Sequence, residues 1–314
     1  MNVYRDLEHI PSDFGPSIVS VGNFDGVHLA HQAVLKQVVQ RARETGAKSA
    51  VVSFDPHPVR ILHPDKELRL ITPGDTRMHL LADAGLDAAI VLPFTRDLSV
   101  MSAHHFVEQI LIGKLCAREI HEGFNFHFGH KAKGNVQLLE ELAPRFGFSV
   151  KVYAEMKIRG AAVSSSEIRK LIQSGEVSRV RHLLGRVFSI HSTPGRGRGY
   201  GHKYTVPTIN LSRYDELIPQ NGVYITRSKI GDECFDSVTN VGVRPTFGPD
   251  SFAIESHLLN FHPIELTAET PVELSFLERL RPEMKFPSVE ELREQISRDV
   301  HHARRYFHLL GLLN

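Results

Sequence analysis

The feature that most constrains this chain is an alternation, through its first half, between short apolar runs and segments of helical periodicity. Residues 18–21 are an apolar run of strand length, and residues 28–45 carry apolar side chains at the spacing of one helix face. The alternation continues with strands predicted at 49–54, 88–92, 118–121 and 149–154, and helices predicted at 76–84, 102–115 and 137–146. Parallel strands need crossover helices, so the pattern predicts an α/β fold with a parallel sheet covered on both faces.

The pattern changes after two short helices, which are predicted at 165–173 and 177–184. From residue 187 to residue 276, β-rich runs follow one another and are separated by Gly, Pro, Asn and Asp. Strands without intervening helices predict a small antiparallel barrel. The clearest of these strands are predicted at 223–226, 237–243 and 252–259.

An amphipathic helix is predicted to begin at Ser288 and to close the barrel. Its apolar stripe consists of Val289, Leu292, Ile296, Val300, Ala303 and Phe307. A chain of 314 residues can bury two cores. We therefore predict two domains, at residues 1–185 and 186–314.

Composition and charge exclude several classes of protein. Apolar residues make up 41% and charged residues 23% of the chain, and the net charge is +1, so no general attraction to nucleic acid or to an anionic membrane is expected. Cys116 and Cys234 lie far apart without CxxC spacing, which argues against a disulfide framework and fits a reducing cytoplasm. The N-terminus lacks the apolar core of a signal peptide, so none is expected. The sequence has no run of eighteen apolar residues, so no membrane span is predicted.

The strongest motif is V-G-N-F-D-G-V-H-L-A-H at 21–31, between a predicted strand and a predicted helix. Glycines allow backbone amides to approach a phosphate, and a helix N-terminus favours negative charge. His28 and His31 share one face of the first helical turn, where two donors suit a triphosphate. Two other interpretations of the motif are weaker. The two histidines could form half of a zinc site, but no third ligand is indicated by spacing. The segment could also be a solvated helix start, but that leaves the glycines and Asp25 unexplained.

This motif resembles the nucleotide-binding signature of bacterial bifunctional riboflavin kinase/FAD synthetases. Further motifs follow in the same order as in that family. They are S-F-D-P-H-P at 53–58, V-L-P-F at 91–94, G-F-N-F-H-F-G at 123–129 and S-S-S-E-I-R at 164–169. The resemblance implies a Rossmann-like nucleotidyltransferase domain that transfers adenylate from ATP to the phosphate of FMN and releases pyrophosphate.

The resemblance also implies which residues form this site. His28 and His31 would contact the phosphates, and Arg169 would reach the leaving pyrophosphate. The residues implied to bind ATP are Gly22, Asn23, Phe24, Asp25, Gly26, Ser164 and Ser165. The residues implied to bind the flavin are Phe54, Pro56, Pro58, Asn125, Phe126 and Phe128. Ala30 and Asn125 depart from the usual residues, glycine and aspartate.

The second half carries G-R-G-R-G-Y-G at 195–201, followed by V-P-T-I-N at 206–210. Alone, a Gly/Arg stretch is typical of a flexible loop or an RNA-binding segment. Next to Pro-Thr-x-Asn it resembles the riboflavin kinase signature, which implies a six-stranded barrel that phosphorylates riboflavin with ATP. Gly197 and Gly201 would cover ATP, and Thr208 and Asn210 would hold magnesium and nucleotide phosphate.

The ribityl hydroxyl must lose a proton during phosphorylation, so a carboxylate is useful as a base. Glu255 lies in the I-E-S-H-L-L segment at 254–259, where the family places that base. Thr205, Ile209 and the segment after Asn260 depart from the family pattern, and they leave open an FAD synthetase whose kinase half is weakened or inactive. A non-catalytic flavin or RNA binder is the third interpretation, which the net charge and the complete motifs disfavour.

We therefore expect a cytoplasmic transferase that uses ATP, magnesium and the flavins riboflavin, FMN and FAD. Its expected partners are these small molecules, with no nucleic acid and no membrane. A homo-oligomer is left open.

Overall fold

The computed structural model describes residues 1–195, 208–212, 214–243, 252–309 and 311. The chain divides into two compact units, Met1–Ser165 and Ser166–Asn314. Gly197, Gly201 and Thr205, which the sequence analysis singled out, lie outside the described residues. The domain boundary at 185/186 stays a prediction.

The first unit is built on a six-stranded sheet in which every pairing is parallel. The strands of this unit are β1 (Asn2–Tyr4), β2 (Ser17–Val21), β3 (Lys48–Asp55), β4 (Ala88–Pro93), β5 (Ala117–Gly123), β6 (His127–Phe128), β7 (Gly134–Asn135), β8 (Ser149–Tyr153), β9 (Lys157–Ile158) and β10 (Ala161–Ala162). β6 with β7 and β9 with β10 form separate two-stranded pairs. The predicted parallel α/β sheet is confirmed.

Helices cover both faces of this sheet, as the alternation predicted. They are α1 (Leu29–Thr45), α2 (Pro58–Leu62), α3 (Gly74–Asp83), α4 (Arg96–Val100), α5 (Ala103–His105), which continues as a π-helix over Phe106–Lys114, and α6 (Val136–Phe146). Successive residues of a strand enter different cores, since side chains alternate across a sheet. Val52 belongs to the core that also holds Phe106 and Leu139, whereas Val51 packs with Leu35 of α1 and Leu81 of α3.

The strand order β1-β4-β3-β2-β5-β8 places the ligand crevice. The chain builds the sheet outward from β2 in one direction through β3 and β4, and then returns to add β5 and β8 on the other side of β2. The order therefore reverses between β2 and β5. In open parallel sheets, ligands bind at the carboxyl ends of the strands beside such a reversal.

The second unit contains a six-stranded antiparallel sheet with the order β11-β16-β13-β14-β15-β12. Its elements are α7 (Ser165–Gln173), α8 (Val177–Leu184), β11 (Phe188–Ser192), β12 (Thr208–Asn210), β13 (Gly222–Ile230), β14 (Glu233–Val243), β15 (Phe252–Leu258), β16 (Val272–Arg281) and α9 (Val289–Leu309). The two edge strands meet beyond their ends, where Pro194 and Leu211 form a bridge. The predicted antiparallel barrel with a closing helix is confirmed.

The barrel interior contains a cluster of five buried hydroxyl groups, with no solvent exposure at any of them. Each hydroxyl bonds to one or more of the others, at oxygen–oxygen distances of 2.6 to 3.0 Å. The cluster consists of Thr226, Ser228, Ser237, Thr239 and Ser256. Buried hydroxyls cost little when every one has a partner, so this network is compatible with a stable core.

The closing helix packs on the barrel only through its C-terminal half, and the predicted apolar stripe was wrong for its first half. Ala303 and Phe307 are buried, but Val289, Leu292 and Ile296 are 55%, 39% and 42% exposed. A polar anchor joins the helix to the sheet, because the guanidinium of Arg281 donates from Nε and Nη2 to the buried carboxylate of Asp299 at 2.9 to 3.1 Å. Such bidentate pairs fix geometry as well as adding energy.

Candidate nucleotide and flavin sites

The loop at 22–28 leaves the carboxyl end of β2 beside the strand-order reversal and enters α1. Gly22 N–H donates to Val52 O of β3 at 2.9 Å, which fixes the start of the loop. Phe24, Gly26 and Val27 have φ values of 48°, 87° and 37°. Glycine adopts such values without strain, but a β-branched residue such as Val27 does not. The loop is thus held in a strained shape, which is a property common at ligand-binding sites.

Asp25 holds this loop from inside the protein. Its carboxylate accepts hydrogen bonds from the backbone N–H groups of Ile71 and Thr72 at 2.9 to 3.2 Å, and its side chain is 1% exposed. Gly26 N–H donates to the Thr72 hydroxyl at 2.8 Å. The Ser165 hydroxyl donates to the backbone oxygen of Asp25 at 2.8 Å, which brings one predicted ATP-binding serine to the loop.

The two histidines of the motif stack on each other, with ring centroids 3.6 Å apart and planes 14° apart. His28 is the N-cap of α1, because its Nδ1 accepts from the backbone N–H of His31 at 3.3 Å. A neutral imidazole that accepts at Nδ1 carries its proton on Nε2, so the donor of His28 is Nε2–H. Burial, and then the neighbouring His28, lower the pKa of His31, which is neutral near pH 7.

The loop and the first turn of α1 each hold one enclosed polar atom that suits a polar ligand. Among the residues the structure describes, Asn23 Oδ1 and His31 Nδ1 are buried and have no hydrogen-bond partner. Buried polar atoms are otherwise almost always satisfied. These atoms therefore fit a nucleotide whose binding would supply their partners.

The residues predicted to bind the flavin lie at or after the carboxyl ends of β3 and β5, and Phe54 and Phe126 pack against the same core. Phe54 is half-buried and packs edge-on against Phe94, with ring centroids 5.5 Å apart. Phe126 stacks on Phe128 at 5.2 Å, and Phe128 is buried in the core beneath it. Pro56 and Pro58 are half-buried and Asn125 is exposed, so these three can meet a ligand.

A buried carboxylate, that of Glu122, lies at the strand-order reversal. The backbone pairing of β2 with β5 ends at Val19 and Ile120. Beyond that point, the Glu122 side chain takes the place of a β5 backbone carbonyl as the acceptor for β2. Val21 N–H donates to its Oε1 at 2.6 Å. Burial raises the pKa of Glu122 well above its usual range, and the hydrogen bond from Val21 opposes this only in part.

We predict that Glu122→Gln becomes more stable than the wild type as the pH rises. A raised folded-state pKa contributes stability that is complete below the unfolded-state pKa of about 4.3 and is lost as the pH rises through the folded-state value. Glutamine keeps the acceptor for Val21 and never ionises. Urea unfolding midpoints at pH 5 and pH 8 check this, with the exposed Glu140→Gln as control. A gap between variant and wild type that does not widen at pH 8 contradicts it.

Arg169 and Ser164 belong to the S-S-S-E-I-R motif. Ser164 precedes α7, and Arg169 lies one turn into that helix, in the second compact unit. The predicted contacts of both residues with ATP or pyrophosphate stay predictions.

The predicted kinase residues meet on three neighbouring strands of the barrel. Asn210 of β12 and Asn240 of β14 are both in register with Glu255 of β15, and Thr208 is in register with His257. Directly opposed residues of antiparallel strands point to the same face, so these side chains form one polar patch. Burial, and then the charge of Arg304, lower the pKa of His257.

The oxygen donors of this patch fit the magnesium ion that the family implies. Thr208 and Asn210 are two residues apart on β12 and therefore project to the same face. Hydroxyl and amide oxygens beside a carboxylate are ligands that magnesium accepts when phosphates complete its coordination. Ile209, which departs from the family pattern, is 6% exposed and in register with the buried Ser256, so its added bulk enters the barrel interior.

Comparison with known proteins identifies the family. An FAD synthetase family model matches residues 10–167, and a riboflavin kinase family model matches residues 184–307. Bifunctional riboflavin kinase/FMN adenylyltransferases from Pseudomonas fluorescens and Listeria monocytogenes are 31% and 33% identical to the chain, over 97% and 92% of both sequences. The chain belongs to the bifunctional riboflavin kinase/FMN adenylyltransferase family.

One solved structure is similar over nearly the whole chain. It is described as a macrolide-efflux protein from Streptococcus pneumoniae, and it is 26% identical with a TM-score of 0.85, covering 96% of this chain and 98% of its own. In the described part of this chain, every helix falls short of the length and apolarity that a membrane span requires.

The family predicted from the motifs is thus confirmed. The riboflavin kinase match favours two activities over an FAD synthetase with an inactive kinase half. The sequence motifs mark neither Glu122 nor Asn240. Asn240 lies in the strand predicted at 237–243, but its register with Glu255 follows only from the fold.

Proposed function

We propose that the chain phosphorylates riboflavin to FMN at the barrel and adenylylates FMN to FAD at the parallel sheet. The observation that carries the second reaction is the strained loop at the strand-order reversal, with the stacked His28 and His31 at its exit. The observation that carries the first is the row of Asn210, Glu255 and Asn240.

In adenylyl transfer, a phosphate oxygen of FMN forms a bond to the α-phosphorus of ATP, the bond from that phosphorus to the bridging oxygen breaks, and pyrophosphate leaves. The attacking group is already ionised, so no general base is needed and catalysis depends on position and charge. His28 Nε2–H donates to a phosphate oxygen. Asn23 lies beside the triphosphate, and Arg169 approaches the pyrophosphate. Gly22 and Gly26 set the shape of the loop around the triphosphate, because their amides donate to Val52 O and to the Thr72 hydroxyl.

The remaining predicted residues position the two substrates. Ser165 ties the S-S-S-E-I-R motif to the loop at Asp25. Ser164, the residue before it, would contact ATP. The flat apolar surfaces of Phe54, Pro56, Pro58 and Phe126 suit an isoalloxazine ring, with Phe128 behind Phe126. Asn125 offers the polar group at the edge of that surface.

In riboflavin phosphorylation, the terminal ribityl hydroxyl attacks the γ-phosphorus of ATP, the β–γ bridging bond breaks, and ADP leaves. Glu255 takes the hydroxyl proton. Thr208 and Asn210 would hold a magnesium ion and the phosphates, and magnesium when bound would offset the negative charge on those phosphates.

We also propose that the protein works in the cytoplasm with these small molecules as its partners. Cys116 and Cys234 are both free thiols, which is typical of a reducing compartment.

The experiment that tests the proposal incubates purified protein with riboflavin, ATP and magnesium, and follows FMN and FAD by chromatography. We expect FMN to appear first and FAD to follow, and added FMN to give FAD directly. Conversion of FMN to FAD with riboflavin left untouched would refute the kinase half. Absence of both products would refute the enzyme assignment itself.

A further inference from the structure

A buried arginine joins the nucleotide loop to the flavin wall. Arg77 lies on α3 and is 2% exposed. Its Nη1 donates to the backbone oxygen of Asn23 at 2.9 Å, and its Nη2 donates to the backbone oxygen of Phe54 at 3.3 Å. One rigid guanidinium therefore spans the ends of two neighbouring parallel strands, β2 and β3.

The two acceptors belong to different substrates in the proposed reaction. Asn23 lies in the loop that holds ATP, whereas Phe54 begins the surface that holds the flavin. The Ser53 hydroxyl also donates to the Asn23 oxygen at 3.4 Å. The loop is therefore linked to β3 directly as well as through Arg77. Arg77 therefore links the two segments that would carry the adenylate donor and its acceptor.

Burying a guanidinium is costly, and the two carbonyls offset the cost only in part, because Nε of Arg77 is buried without a hydrogen-bond partner among the described residues. Burial lowers the pKa of Arg77, while the carboxylates of Asp55 and then Asp25 oppose this effect. A fork of donors that satisfies two carbonyls is a geometry that lysine cannot reproduce. A group needed only to fill this space would be apolar, because an apolar side chain carries no desolvation cost.

We infer that Arg77 is a positioning residue for adenylyl transfer, which sets the separation between the ATP loop and the flavin wall and contacts neither substrate. The inference rests on the proposed FMN adenylylation. Misplacement of reacting groups by about 1 Å lowers rates by as much as about a hundredfold. The effect is therefore expected in kcat more than in KM.

The test measures FAD formation from FMN and ATP by full-length Arg77→Met and Arg77→Lys. We expect kcat to fall at least about tenfold in Arg77→Met, with the KM values for ATP and FMN within about threefold of the wild type. The kcat of Arg77→Lys should lie between those of the wild type and Arg77→Met, because a lysine ammonium can reach only one of the two carbonyls. Riboflavin phosphorylation by the same preparations should stay unchanged, which shows that the barrel is folded, and thermal unfolding monitors the unit that contains Arg77.

Arg145→Met, at the exposed end of α6, is the matched control and should behave as the wild type. A merely structural role predicts lower thermal stability with an unchanged kcat in the folded variants, and that result would overturn the inference. If Arg77→Met does not fold, Arg77→Lys decides: wild-type kcat overturns the inference and reduced kcat supports it. Failure of the wild type to adenylylate FMN is a different result, which refutes the proposed function.

Discussion

His28→Asn should form FAD from FMN about a hundredfold more slowly than the wild type, while it phosphorylates riboflavin at the normal rate. An asparagine oxygen can replace Nδ1 as the N-cap acceptor of α1, but no asparagine atom reaches the position of Nε2. The variant therefore keeps the helix start and loses the donor to the phosphate. Loss of one such preorganised donor typically costs about 10²–10³-fold in rate. Chromatographic rates at saturating FMN and ATP provide the measurement.

His28→Ala is the companion variant, since it removes both the donor and the cap. It should lose the same activity and in addition about 1 kcal/mol of stability, the usual cost of a missing N-cap. Thermal unfolding of the two variants separates the contributions. If His28→Asn kept full FAD formation, the imidazole would serve only as a cap. If both activities fell together, the damage would lie in the fold.

The architecture could be predicted from the sequence because the two halves of the chain have different hydrophobic periods. The strand predicted at 18–21 is observed as Ser17–Val21, and the helices predicted at 165–173 and 177–184 are observed with the same bounds. Continuous apolar strands are typical of a sheet buried on both faces. β1 was missed because Asn2–Tyr4 is a short edge strand of exposed and half-buried residues, without the apolar run that marks the inner strands.

The inside of the barrel could not be predicted in the same way. Thr226, Ser237 and Ser256 are polar, so an alternating pattern assigns them to solvent. The structure buries them because each hydroxyl finds a partner on a neighbouring strand, and those partners are distant in sequence. The stripe of α9 shows the reverse case, in which apolar residues predicted to be buried are exposed. Val289 and Leu292 have helical spacing, but packing also requires a surface opposite them.

The candidate site was predicted as far as its local motifs reach. The loop at 22–28 and His28 follow from spacing and from the helix start, and both are local in the chain. Arg77 contacts the backbone of Asn23 in the loop, Glu122 contacts the backbone of Val21 at the end of β2, and no motif at their own positions marks either residue. Their roles depend on the strand order, which brings residues 54 and 101 positions apart into contact.

Glu255→Gln should lower FMN formation from riboflavin by about 10²–10⁴-fold, the range that general base catalysis contributes. Glutamine has nearly the same shape and preserves the register with Asn210 and Asn240, so the barrel should stay intact. It cannot accept the proton of the ribityl hydroxyl. FAD formation from added FMN by the same preparation should match the wild type. Glu233→Gln, an exposed strand glutamate in the same barrel, is the matched control.

The size of that loss also decides how the kinase half should be understood. An intact barrel with a strong and selective effect at Glu255 means that Ile209, whose side chain enters the interior, leaves the catalytic face working. A wild type that forms FMN as slowly as Glu255→Gln would instead match the weakened kinase that the altered motif left open. Equal loss of both activities in the variant would contradict the division of labour, because the polar patch of Asn210, Glu255 and Asn240 would then support adenylylation as well.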